Sequence, residues 1–130
     1  MTREAFVRLV EKQLAGIPGE FASRLENLSF QVEDWAEAEL LAEVGLEDPR
    51  DLLGYYQGWP LPERGHDYGN CLPDVISLFR LAIENHARET GLPIVRVIRE
   101  TILHELGHYF GFDEEQMDRI EELWADRGES

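Results

Sequence analysis

Residues 104–114 read His-Glu-Leu-Gly-His-Tyr-Phe-Gly-Phe-Asp-Glu. On a helix, positions i and i+4 share a face one turn apart, so His104 and His108 can offer two imidazoles to one metal ion. Glu105 follows the first histidine, beside the pair, where a carboxylate can take a proton from a metal-bound water. Either histidine alone would read as a surface or hydrogen-bonded residue. The pair with Glu105 between them reads as a site. Gly111 then ends the helix, because glycine enters a left-handed turn at little cost. The chain reverses there, and the residues just beyond can return toward the imidazoles.

A catalytic zinc site uses three protein ligands and a water. Glu114 is the first candidate for the third ligand, with Asp113 next. Glu121 is a further candidate, since the last helix is expected to bury Met117, Ile120 and Trp124 and Glu121 borders that face. The competing reading of Glu114 is a carboxylate at a helix N-terminus, favoured there by the helix dipole.

On a helical wheel of residues 94–110, Ile98, Ile102, Leu106, Tyr109 and Phe110 form one broad apolar face. His104 and His108 fall on the other side, with Thr101 and Val97 above them. The predicted helix is therefore anchored by one face and presents the imidazoles on another. A rigid metal site needs that division.

Working outward, residues 2–15 carry Ala5, Phe6, Leu9, Val10 and Leu14 at helical spacing, stopped by Gly16. Residues 27–33 alternate Leu28, Phe30 and Val32 with polar neighbours, the pattern of a strand. A helix is predicted over 34–44, capped by Asp34 and stopped by Gly45. Short strands are predicted at 51–58 and 74–80, and helices at 81–90, at 93–110 opened by Pro93, and at 114–127. The stretch 60–73 is a loop by its prolines and glycines, and its length points to a functional role. His66 and Asp67 within it read as ordinary loop residues, with His66 a weaker candidate to cover the site or supply the third ligand. The element order gives an α+β class, a small sheet packed on helices.

The chain of 130 residues suits one domain, 1–130, with one core. Its charge of −15 argues against nucleic acid or an anionic membrane as partner, and reads first as a solvated surface. Cys71 is the single cysteine, so no disulfide forms within the chain and any metal is held by histidines and carboxylates. The N-terminal stretch is charged and amphipathic, lacks the apolar core of a secretory signal, and sets the expectation of a cytoplasmic protein.

These residues resemble the zincin metallopeptidases. HELGHYFGFDE is similar to the metzincin form H-E-x-x-H-x-x-G-x-x-H/D, with Glu114 where that form has His or Asp. GYYQGWPLPERG, LPDVISLFR and GFDEEQM narrow the resemblance to a small bacterial family of minimal zincins, over roughly residues 50–120. The resemblance implies a minimal zincin fold: a small mixed, twisted sheet packed on an active-site helix and flanking helices. It implies a zinc ion as cofactor and a peptide or protein substrate that pairs with an edge strand, for which residues 74–80 are the match. The chain has no long downstream segment for a separate Met-turn, and Met117 reads as core of the last helix. The expected function is a zinc-dependent metallopeptidase with His104, His108 and Glu114 as ligands and Glu105 as general base. The alternative is a weakly active or inactive zincin-like module that binds a peptide or protein partner.

Overall fold

The structure is a computed structural model that describes residues 1–17, 19–25, 28–58 and 74–128. The loop 60–73, with His66, Asp67 and Cys71, lies outside the described residues, as does the side chain of Trp124. The chain runs α1 (Arg3–Ala15), α2 (Gly19–Ala22), β1 (Leu28–Glu33), α3 (Ala38–Glu43), a 3-10 turn (Pro49–Asp51), β2 (Gly54–Gln57), β3 (Asp74–Phe79), α4 (Arg80–Thr90), α5 (Ile94–Phe110) and α6 (Glu114–Gly128). The class is α+β, as the sequence pattern predicts.

Three helix starts have a local cause. Thr2 caps α1 by accepting a hydrogen bond from the Ala5 N–H at 3.1 Å, and Phe6 and Val10 bury the inner face. Pro93 precedes the first residue of α5, where its missing N–H costs nothing. Asp113 and Gln116 exchange side-chain-to-backbone bonds of 2.8 and 3.0 Å, a capping box that opens α6.

The sheet is mixed, in the order β1-β3-β2. β1 runs parallel to β3 with Phe30 opposite Ile76, and β2 runs antiparallel with Tyr56 opposite Ile76. Alternation divides the two faces. Ile76 and Leu78 of β3, with Phe30 and Tyr56 beside them, join the core beneath α1 and α5. Phe79 and Tyr55 face a second cluster with Ala36, Leu41 and Ala82. The α5 face predicted to be apolar is buried: Ile98, Ile102 and Leu106 are at 0% exposure and Tyr109 and Phe110 at 3% or less.

Three expectations are corrected. Residues 74–79 form the middle strand, with β1 on one side and β2 on the other, so both hydrogen-bonding edges are taken. The strand at the sheet edge beside α5 is β2. The predicted helix 34–44 shortens to Ala38–Glu43, because Asp34 is drawn away from capping by Arg80, whose guanidinium donates to it at 3.0 and 3.1 Å. The strand at 51–58 keeps only Gly54–Gln57, since Asp48 nucleates the 3-10 turn by accepting from the Arg50 N–H at 2.9 Å.

Candidate metal centre

The site begins with a close approach. A Cβ on Gly54 would lie 2.7 Å from Thr101 Cγ2 and 3.4 Å from Glu105 Cγ, so only glycine lets β2 lie this near to α5. Glu105 is thereby tucked beneath the strand, 6% exposed. Burial pushes its carboxyl above the ordinary value, and His104, His108 and a hydrogen bond from the Tyr56 backbone N–H pull it back down. The Tyr56 ring is fixed in turn, edge-on to Tyr109 at 5.9 Å with its hydroxyl donating to Asp74 at 2.6 Å.

His104 and His108 are exposed on the same stripe of α5, their rings 5.0 Å apart and nearly perpendicular. His104 Nε2 stands 3.9 Å from Glu105 Oε2. The ligand atoms of His104, Glu105 and His108 all lie within 4.8 Å of one another, the one such group among the described residues. Val97 and Thr101, placed above the histidines by the wheel, are buried and line a cavity of about 550 Å³ with His104, Glu105, His108, Gly54 and Tyr56.

Beyond the histidines, the chain turns as predicted. Gly111 has φ 70°, and the N–H groups of Gly111 and Phe112 both donate to the Gly107 carbonyl. α6 then packs back through Met117, which occupies the notch where Gly107 has no side chain. Met117 is therefore partly core, as predicted, and partly wall: it lines a second cavity of about 450 Å³ with His104, His108, Asp113, Glu114 and Asp118.

The third-ligand candidates are thus placed differently. Glu114 is on the wall of this second cavity, exposed, and outside the tight group of His104, Glu105 and His108. Asp113 is on the same wall, with Oδ1 committed to the Gln116 N–H. Glu121 is exposed and does not line it. Asp118 does, one turn after Glu114, and sequence reasoning missed it; the i,i+4 spacing of two carboxylates is the signal that points to it. Gly54 and Tyr56 were also missed, and a glycine inside a predicted strand is the available sign of a close backbone approach.

Residues 25–124 match the family model for zincin-like metallopeptidases. The chain belongs to the zincin-like metallopeptidase family. No curated protein matches it. The donor set suits the zinc that the family implies: two exposed imidazoles on one helical stripe, a buried carboxylate beside them, and further carboxylates across the adjoining cavity. No helix among the described residues is long and apolar enough to cross a membrane.

Proposed function

We propose that this zincin-like protein is a zinc-dependent peptide hydrolase. The observation that carries the reading is the group formed by His104, Glu105 and His108 beneath an edge strand, in a chain of this family. His104 and His108 would hold the ion, with Glu114 as third ligand. Bound zinc would supply a Lewis acid that polarises a carbonyl and lowers the pKa of water. Glu105 is the general base. Its burial and its hydrogen bond from Tyr56 fix the carboxylate, and its proton then passes to the leaving amine. The substrate lies extended along the outer edge of β2, whose backbone groups bind it with little demand on sequence.

Glu105→Gln tests the assignment of the base. The variant should bind zinc in the same stoichiometry as the unaltered chain and lose about 10²–10⁴-fold in peptide hydrolysis. Equal rates in the two proteins, with metal content verified, would sink the mechanism. Glu114→Gln should weaken zinc binding, read by competition with a chromophoric chelator.

A second reading, a zincin-like module that binds peptide without cleaving it, is favoured by the position of Glu114 outside the tight group. Metal analysis separates the two. Stoichiometric zinc in the purified protein supports the hydrolase, and no binding at micromolar zinc supports the module.

A further inference from the structure

β2 separates two grooves, and both carry carboxylates. On the α5 face lies the cavity beside the histidines, with Asp51 and Glu100 among its lining residues. On the α3 face lies a groove of about 920 Å³ with Glu33, Glu37, Glu39 and Glu43. Tyr55 and Tyr56 line both. Among the described residues, no lysine or arginine lines either one. Glu33, Glu37 and Glu39 have no ion pair among the described residues, whereas Asp51 acts on the adjacent Arg50 and Glu100 meets Arg96 at 3.1 Å in an exposed pair. No strand among the described residues pairs with the outer edge of β2.

We propose that the chain added to β2 is an extended basic peptide, with arginine or lysine on both faces. The inference rests on the strand-addition reading above and names its substrate class. Successive side chains of a strand point to opposite faces, so a peptide along β2 sends alternate residues to the two grooves. On the α5 face the long aliphatic stem of arginine or lysine lies against Val44, Leu52 and Val97, and its cation reaches Asp51 and Glu100. On the α3 face the partner carboxylates are Glu33, Glu37 and Glu39, with Glu43 shared by the Tyr55 hydroxyl. On the α3 face an acidic peptide would meet like charge. The overall charge of −15 acts in the same direction and speeds encounter with a cationic chain.

The test uses the zinc-loaded full chain carrying Glu105→Gln, so that binding is read without cleavage. Fluorescein-labelled decapeptides that differ only in arginine, glutamine or glutamate at alternate positions are compared by fluorescence polarisation. The arginine peptide should bind at least tenfold more tightly than the glutamine peptide. That gap should close to under threefold when Glu37→Gln, Glu39→Gln, Asp51→Asn and Glu100→Gln are added, and should survive the same charge change made at Glu4, Glu11, Glu115 and Glu122. Equal binding of the arginine and glutamine peptides overturns the proposal. So does a gap that survives the groove variant, or one that the remote variant closes equally, or no binding of any peptide. Cleavage by the unaltered chain is followed in parallel. A groove-dependent arginine preference with no cleavage upholds the basic-peptide assignment and removes the hydrolase reading alone.

Discussion

At the scale of single residues, Glu105 carries two opposed demands. It must stay close enough to the histidines to serve as base, and it is buried under β2, which disfavours its charge. In chelated protein this has a pH signature. A carboxyl raised in the folded state binds its proton more tightly than in the unfolded chain. The resulting stability is fully present below the unfolded pKa and is lost as pH rises through the folded value. Thermal melts in EDTA from pH 4 to 7 should therefore show a decline in the unaltered chain that Glu105→Gln lacks; parallel curves would contradict the burial of this charge. Gly54 sets that burial. In Gly54→Ala the new methyl meets Thr101 and the Ser77 carbonyl, and β2 must move off α5. Such overpacking costs about 1–3 kcal/mol, measurable by urea unfolding, and hydrolysis should fall while zinc stoichiometry holds.

At the scale of elements, the parts legible in the sequence are those whose cause is local. The buried stripe of α5, its start after Pro93 and its end at Gly111 depend on residues a turn apart, and the His pair belongs to the same helix. What the sequence hid depends on distant partners. Asp34 carries the signal of a cap, yet Arg80, from the far end of the sheet segment, claims it. The β-branched and aromatic run of residues 74–80 reads as a strand in the sequence, but its place between β1 and β2 comes from pairing that no local pattern encodes. The meeting of Gly54 with Glu105 is of the same kind. Gly111 is a place where local conformation serves the site directly. Alanine there must adopt φ near 70°, at a cost of about 1–2 kcal/mol, or unwind the turn that brings α6 against the histidines. Gly111→Ala should thus lose stability in denaturant titration and also weaken zinc binding. A loss of stability with unchanged zinc affinity would show that the turn does not position the site.

At the scale of the whole molecule, one helix carries both the architecture and the chemistry, on opposite sides. Ile98, Ile102 and Leu106 stand at 0% exposure in the core shared by α1, the sheet and α6, while His104 and His108 face out into the cavities. The two functions should therefore be separable by mutation. Ile102→Ala leaves a cavity where the side chain is fully enclosed, and should cost about 2–5 kcal/mol in chelated protein. The folded fraction should still bind zinc with unchanged affinity, since no ligand atom moves with the removed methyl groups. His108→Ala should do the reverse. The residue is exposed, so chelated stability should change by no more than about 0.5 kcal/mol. The stabilisation by zinc, about 2.7 kcal/mol at a hundredfold excess over Kd, should disappear. Thermal melts of both variants with and without zinc measure all four quantities. If Ile102→Ala abolished the zinc-dependent shift at temperatures where the chain is folded, the anchoring face and the metal face would be one coupled unit, and α5 would not be the rigid platform from which His104 and His108 are presented.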